Sequence, residues 1–241
     1  MLIYFVIVFS SVLAGCVQAV TGFGGGIMQM QFLPYFFPMN VAPAIGECTC
    51  TPLNWAIAFS YRKHINWRFV WLPTVCYMAF STLSIWLSTK VDLGGLKLVF
   101  GIFLIVLSIY FIFFSGKLKV SGSLLTAFLC SSVSGLLSGL FGIGGPTMAM
   151  YYLAVTKEKE EYLGTMNMVF AFCMIYQLIA RFTAGILTVD MIPILAVGIA
   201  GVLIGRIFGS RIVDKIDGEK LKKIVYIFLA FSGVITTINS L

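Results

Sequence analysis

The sequence predicts an all-α polytopic membrane protein built from two inverted repeats. Three observations support this prediction: an apolar composition, charge-free stretches of spanning length, and a sequence match between the two halves. Of the 241 residues, 60% are hydrophobic and only 10% are charged, whereas soluble domains carry about 25% charged residues. The composition therefore excludes a soluble globular domain.

Charge-free stretches recur along the chain at nearly the length needed to cross a bilayer. The first charged side chain is Glu47, and later stretches without Asp, Glu, Lys or Arg cover 69–89, 98–116, 120–156, 162–180 and 224–241. A transmembrane helix needs about 20 apolar residues. The apolar start of the chain lacks a basic region, so we interpret it as a retained segment rather than a cleaved signal peptide.

Two internal matches indicate a duplication. Residues 22–33 (GFGGGIMQMQFL) match 142–153 (GIGGPTMAMYYL) at an offset of 120, and 90–104 match 215–229 at an offset of 125. Because the two matches run in the same order, chance similarity of composition does not explain them. The chain divides into a first repeat at 1–115, a cytoplasmic linker at 116–121 and a second repeat at 122–241.

Each half is predicted to contain one long apolar segment followed by three ordinary spans. A straight helix of some 35 residues would be about 50 Å long against a hydrocarbon core of about 30 Å. The long segments must therefore break, and the glycine clusters at 22–26 and 142–146 are the predicted positions. Such halves are typical of secondary transporters. The predicted segments are 2–37, 41–61, 67–88 and 93–114, then 122–155, 162–184, 188–209 and 221–240.

Basic residues orient these segments in the membrane. If each broken segment is a re-entrant hairpin, each half crosses an odd number of times and the halves are inverted. Thirteen basic residues then face the cytoplasm and three face outward, as the positive-inside rule favours. Both termini are predicted outside. The inner residues are Arg62, Lys63, Arg68, Lys117, Lys119, Lys157, Lys159, Arg206, Arg211, Lys215, Lys220, Lys222 and Lys223; the outer ones are Lys90, Lys97 and Arg181.

The glycine breaks are the predicted substrate site. Helices restarting at Ile27 and Thr147 would direct their positive N-terminal ends toward one anion near the bilayer midplane. The alternative is that the glycines only allow close helix packing, as we expect for Gly201, Gly205 and Gly209. A potassium-filter interpretation of residues 20–24 is rejected, because the second copy differs and cannot supply a fourfold ring. The candidate binding residues are Thr21, Gly22, Gly24, Gly25, Gly26, Gln29, Gly142, Gly144, Gly145, Thr147 and Asn167.

Few other polar residues lie within the apolar segments, and such residues are functional candidates. Glu47 is a proton-coupling candidate, and the alternative is a structural, hydrogen-bonded carboxyl near the outer interface. Asn54 is a further possible donor to a ligand. Arg181 either recruits anions at the outer mouth or extends to the lipid headgroups, and the second interpretation is preferred. His64 is the single histidine, so no metal site, cofactor or catalytic constellation is expected.

The glycine clusters resemble those of the TauE/SafE family of sulfite exporters. The resemblance rests on residues 21–26 (TGFGGG) and 139–146 (GLFGIGGP), the basic turn at 62–67 and the glycine-spaced segment at 201–209. It implies a plasma-membrane permease for small sulfur-containing anions such as sulfite or organosulfonates, with a homodimer as a further expectation. This sequence has Pro146 where a third glycine is common in the family.

Three classes of function were compared. A transporter that exports sulfur anions is the leading hypothesis, and an anion channel or a proton-coupled permease for another small substrate is the alternative. An intramembrane enzyme is not expected, since no nucleophile–base pair is evident. Nucleic acid is not expected as a partner, because the net charge of +7 belongs to loops between apolar segments.

The inverted topology predicts where reporter fusions will lie. A reporter fused after Leu241 should be outside the cell, and one inserted within 216–220 should be inside. Alkaline phosphatase and fluorescent-protein fusions measure the two sides. A cytoplasmic reporter after Leu241 would contradict the hairpin model.

Overall fold

The computed structural model describes residues 2–90, 93–114, 122–213, 234 and 236–238. Within these ranges the chain is helical and contains no β-strand, which confirms the all-α prediction. Short 3₁₀ turns precede several of the helices. The helices are α1 (Leu2–Thr21), α2 (Gly25–Met30), α3 (Ala42–Ser60), α4 (Trp71–Ser88), α5 (Leu93–Phe114), α6 (Leu124–Phe141), α7 (Gly145–Val155), α8 (Lys159–Thr183) and α9 (Ile192–Val213).

Both long apolar segments are interrupted at the predicted glycine clusters. Gly24 precedes α2 with φ 97°, and Gly142 ends α6 with φ 67°. Both values lie in the left-handed region that glycine adopts without steric cost. The helices restart at Gly25 and Gly145, two residues earlier than expected, because the chain has already turned at the preceding residue. The predicted linker at 116–121 and most of the last span at 221–240 lie outside the described residues.

Five helical stretches in the described part are long and apolar enough to cross a membrane. Helix α3 is not among them, because its buried polar side chains lower its hydropathy. The outer surface of the bundle is apolar, as the 59% exposed Trp71 and the 63% exposed Val75 illustrate. This distribution suits a lipid environment. The five stretches are Leu2–Ala19, Trp67–Ser88, Leu124–Phe141, Lys159–Thr183 and Val189–Ser210.

The helices of the two halves pair crosswise. Helix α1 packs on α9, α6 packs on α4, and α3 packs on α8. In the register of the internal match, α1 corresponds to α6, α3 to α8 and α4 to α9. The first helix of each half therefore packs on the third long helix of the other half.

Equivalent glycines make the two crosswise contacts. A Cβ atom on Gly15 would overlap the carbonyl oxygen of Val202, and one on Gly135 would lie 2.5 Å from the carbonyl oxygen of Tyr77. Gly135 follows Gly15 by 120 positions and Val202 follows Tyr77 by 125, the same offsets as the sequence matches. The contacts thus follow the duplication, while the inversion of the halves relative to the membrane stays a prediction.

The glycine-spaced face of α9 packs against α1, as predicted. Cβ atoms on Gly201, Gly205 and Gly209 would all meet α1 atoms closer than normal contact distance. Cys16 donates a hydrogen bond from its thiol to the carbonyl oxygen of Gly205 at 3.1 Å. The close approach of the two backbones requires residues without side chains at these positions.

Candidate functional site

The two glycine breaks meet inside the bundle. A Cβ atom on Gly26 would overlap the carbonyl oxygen of Gly142, and one on Gly145 would lie 2.9 Å from the ring of Phe23. The backbone of each break is therefore in contact with the other break. Residues separated by 120 positions also meet nearby, since Asn54 Nδ2 lies 2.9 Å from Met174 Sδ. Residues of the two halves that are equivalent in the sequence match therefore meet beside the breaks.

A small cavity lies between the breaks. Its volume is about 30 Å³. Since one water needs roughly 10–15 Å³ on the same scale, the cavity has room for only a few water molecules. The lining combines backbone of both breaks with aromatic and amide side chains, and none of these side chains is charged. The lining residues are Gln18, Phe23, Gly24, Gly25, Gly26, Ile27, Asn54, Tyr77, Gly142, Ile143, Gly144, Gly145, Phe170 and Met174.

The second half supplies a full helix N-terminus at this cavity. Helix α7 has 11 residues, and no side chain caps its start at Gly144. Pro146 occupies the first turn, as predicted, where its missing N–H has no intrahelical partner to lose. Helix α2 has only six residues, so the expected pair of equivalent helix ends is absent. The site is asymmetric, with α7 contributing most of the helix dipole.

Tyr77 brings the clearest unused donor to the cavity. Its side chain is fully buried, and a Cβ atom on Gly144 would lie 2.7 Å from its hydroxyl oxygen. By distance and angle this hydroxyl has no hydrogen-bond partner within the described residues, although Ser138 lies near it. An unpartnered buried hydroxyl is costly. A ligand in the cavity would satisfy it.

Two amide side chains form another wall. Gln18 donates from Nε2 to Asn54 Oδ1 at 2.6 Å, and Asn54 donates from Nδ2 to the carbonyl oxygen of Cys50 at 3.1 Å. A Cβ atom on Gly25 would overlap Gln18 Oε1. The amides are thus held in place by α1 and α3 beside the first break.

Six of the eleven predicted binding residues line the cavity: Gly24, Gly25, Gly26, Gly142, Gly144 and Gly145. Gly22 and Thr21 do not. Gly22 faces α8, where a Cβ atom would lie 2.5 Å from the side chain of Leu163. Thr21 turns its hydroxyl to the backbone, where it donates to the carbonyl oxygens of Val17 and Phe23.

The three remaining predicted residues make structural hydrogen bonds outside the cavity lining. Gln29 is buried, with its Nε2 2.7 Å from Thr49 Oγ1. Thr147 directs its hydroxyl to the carbonyl oxygen of Gly144 at 3.4 Å. Asn167 donates from Nδ2 to the carbonyl oxygen of Leu163 at 2.9 Å. Asn54, Gln18, Tyr77 and the apolar lining side chains contact the cavity instead.

A buried ion pair lies beside this site. Arg181 donates from Nε to Glu47 Oε2 at 2.8 Å, and the two side chains are 0% and 1% exposed. Arg181 Nη2 also reaches Glu47 Oε1 at 3.3 Å. The headgroup interpretation of Arg181 is therefore wrong, because the arginine points into the bundle, where the Glu47 carboxylate compensates its charge. Glu47 likewise lies inside the bundle, where it is paired with Arg181.

The pair is joined to the end of α6 and to the cavity. Arg181 Nη2 donates to the carbonyl oxygens of Ser138 at 3.2 Å and Gly139 at 2.9 Å. Ser138 Oγ donates to Glu47 Oε1 at 2.9 Å and lies 3.3 Å from Gln177 Oε1. Tyr77, on the cavity wall, lies within electrostatic range of both Glu47 and Arg181. One feature of the sequence could have revealed this polar cluster. Gln177 and Arg181 are four residues apart, which places both side chains on one face of a helix.

Comparison with known proteins identifies the family. The family model described as Sulfite exporter TauE/SafE matches residues 7–236. The chain belongs to this family. A probable membrane transporter protein of Methanocaldococcus jannaschii is 32% identical over 158 residues, which are 60% of this chain and 59% of that protein. The match thus spans less than two thirds of that relative. No solved structure is significantly similar.

Membership of the TauE/SafE family, together with the five long apolar helical stretches, identifies the chain as a multi-pass membrane protein. Among the described residues there is also no group of three or more His, Cys, Asp or Glu side chains able to hold a metal ion.

Bulky side chains at the breaks should close the cavity. We expect Gly25→Val and Gly145→Val to reduce transport to about a tenth or less, since each new side chain meets Gln18 or Phe23 and blocks backbone approach by a ligand; a tenfold loss needs only about 1.4 kcal/mol. Flux per folded protein in proteoliposomes measures this. Ala154→Val, on the exposed face of α7, is the matched control. Normal flux in both glycine variants would exclude these glycines from the site.

Proposed function

We propose that this TauE/SafE protein is a secondary transporter that exports small sulfur-containing anions, such as sulfite or a short sulfonate, across the plasma membrane. The anion binds near the bilayer midplane in the cavity between the two glycine breaks. The observation that carries the proposal is the unpartnered Tyr77 hydroxyl directed at the start of α7. Both need a hydrogen-bond acceptor, and an oxyanion supplies several.

The backbone at the start of α7 suits an anion for electrostatic reasons. A helix N-terminus presents free N–H groups and a partial positive charge. None of the described residues that line the cavity is acidic, so none of them repels an anion. The same positive potential raises the barrier for a cation. The glycines allow the ligand to approach the backbone, which larger side chains would prevent.

The rest of the lining favours a substrate with an apolar or polarizable part. Phe23, Ile27, Ile143, Phe170 and Met174 line the cavity beside the polar groups. A thioether and aromatic rings are favourable neighbours for sulfur or a short alkyl chain. Since the cavity holds only a few waters, its walls must separate during transport to admit an anion with its oxygens.

The electrical driving force supports export. A cytoplasm-negative potential favours anion exit by about 2.3 kcal/mol per charge per 100 mV. If the protein is instead an anion channel, the anion passes through the same cavity and the protein does not alternate between inward-open and outward-open states. The proposed arrangement places both termini outside, with inverted halves, and includes a homodimer as the working assembly.

A proton-coupled permease is the second candidate, favoured by the buried carboxyl of Glu47. Its ion pair with Arg181 keeps a charged group inside the bundle, where an isolated charge is unfavourable. Glu47 would accept a proton when Arg181 no longer neutralises it. The proposal thus retains Glu47 as the coupling residue.

Anion flux into proteoliposomes tests the proposed function. Purified protein should transport one or more of sulfite, thiosulfate, sulfoacetate and taurine, with saturation and countertransport, but neither phosphate nor divalent metal ions. Saturation with countertransport separates a carrier from a channel. Transport of a metal cation without any sulfur anion would refute the proposal.

Tyr77→Phe should separate binding from folding. Loss of the hydroxyl removes a donor to a charged ligand, worth about 1.5–3 kcal/mol, so anion affinity should fall roughly 10- to 150-fold. Because the hydroxyl is unpartnered, the melting temperature in detergent should not fall. Tyr151→Phe, remote from the cavity lining, is the control. Unchanged affinity in Tyr77→Phe would remove Tyr77 from the site.

Glu47→Gln tests the coupling role. The amide keeps the shape of the side chain but cannot change charge, so net transport should lose its dependence on the pH gradient while exchange at equal pH continues. Flux measured with and without an imposed gradient decides this. A wild-type response to the gradient would assign Glu47 to structure.

A further inference from the structure

The polar cluster around Arg181 contains unused donors. The cluster consists of Glu47, Ser138, Gln177 and Arg181, which are all at most 1% exposed. Arg181 Nη1 and Gln177 Nε2 are buried and have no hydrogen-bond partner within the described residues. Both belong to α8, one helical turn apart, and therefore lie on one face. Tyr77 Oη, on the cavity wall, is likewise unpartnered and interacts electrostatically with both members of the ion pair.

We propose that Arg181 and Gln177 form a second anion-binding station on the transport route, with Glu47 as its resident competitor. This inference rests on the proposed function and extends it. In the anion-free protein, the Glu47 carboxylate occupies the guanidinium of Arg181. A substrate oxyanion displaces that carboxylate and accepts hydrogen bonds from Arg181 and Gln177. The ligand class is an oxyanion with at least two acceptor oxygens.

The chemistry of the guanidinium suits such an exchange. Its planar fork binds a carboxylate and a sulfur oxyanion through the same paired N–H donors. Glu47 uses Nε and Nη2, which leaves Nη1 available for the first contact with an incoming anion. The exchange keeps the charge of Arg181 compensated at every stage, and the displaced Glu47 carboxylate takes up the coupling proton, so that no uncompensated charge stays buried.

The geometry also links this station to the glycine break. Arg181 Nη2 donates to the carbonyl oxygens of Ser138 and Gly139, in the last turn of α6, three residues before Gly142. A cation at a helix C-terminus stabilises its free carbonyl groups. Movement of Arg181 toward an anion would therefore weaken the end of α6 beside the central cavity.

The titratable and charged groups facing Glu47 are few. Arg181 approaches from α8 and Tyr77 from α4, while Cys48 and Cys50 lie beside Glu47 on α3. From α6 the neutral Ser138 donates a hydrogen bond to Glu47 Oε1 at 2.9 Å. Arg181 is thus the cation whose partner an anion would replace.

Opposite effects of two charge-removing variants test the inference. Sulfite binding to purified protein, measured by thermal shift and by flux, should tighten about tenfold in Glu47→Gln and weaken at least about tenfold in Arg181→Gln. Added sulfite should raise the melting temperature of Glu47→Gln more than that of the wild type, because the anion replaces the missing carboxylate.

A double variant controls for folding. Glu47→Gln/Arg181→Gln has no buried charge to compensate, so it should fold, yet it should bind sulfite as weakly as Arg181→Gln. Arg206→Gln, which removes an arginine bonded to Ser60, should bind like the wild type. Sulfite affinity restored to the wild-type value in the double variant would overturn the inference and make the pair structural.

The remaining outcomes separate the two proposals. If the wild type binds sulfite and Arg181→Gln binds it equally well, the second station is refuted while the central site stands. If neither the wild type nor Glu47→Gln responds to sulfite, thiosulfate or sulfoacetate, both proposals fail.

Discussion

The structure depends on one constraint: backbone groups inside a bilayer must find partners within the protein. Breaking a helix in the middle of the bundle leaves N–H and carbonyl groups that lipid cannot bind. Here side chains from neighbouring helices bind the carbonyl groups next to the breaks. Ser134 donates to the carbonyl oxygen of Gly144, Tyr162 to that of Thr21, and Arg181 to that of Gly139. At each break, a polar side chain inside the bundle therefore donates a hydrogen bond to a nearby backbone carbonyl oxygen.

The Glu47–Arg181 pair fits this constraint but is not explained by stability alone. Desolvating two charges often costs more than their attraction returns, and apolar residues of similar volume are frequently as stabilising. A buried pair with unfilled donors at its edge is more readily understood as a functional element. Its contact with the last turn of α6 connects charge compensation to the same backbone break that forms the cavity.

The sequence predicted the backbone features better than the side-chain partners. Composition, segment length and glycine position specified the helices and the breaks, because these follow from the thickness of the bilayer and from steric freedom at residues such as Gly142. The spacing of residues along one helix does not show which other helix packs against it. Gln29 and Asn167 looked available for a ligand, but the side-chain amide nitrogens of both have partners in the fold. Arg181 looked like an interfacial residue although its partner lies 134 positions away.

The position of Tyr77 at the cavity could not be predicted from the sequence either. Nothing distinguished it among the ten tyrosines of the chain, because its role depends on the approach of α4 to the start of α7. Its counterpart in the register of the duplication is Val202, which meets Gly15 as Tyr77 meets Gly135, but both contacts become visible only in the fold.

The crosswise pairing of the halves affects how the protein is made. Helix α1 is synthesised early, but its partner α9 follows much later: Cys16 and Gly205, which are in contact, are 189 positions apart. At about 5–20 residues per second, the ribosome needs roughly 10–40 s to add the missing partner. During that interval the face of α1 around Gly15 is without α9. The close packing of α1 on α9 therefore forms only after most of the chain has been translated.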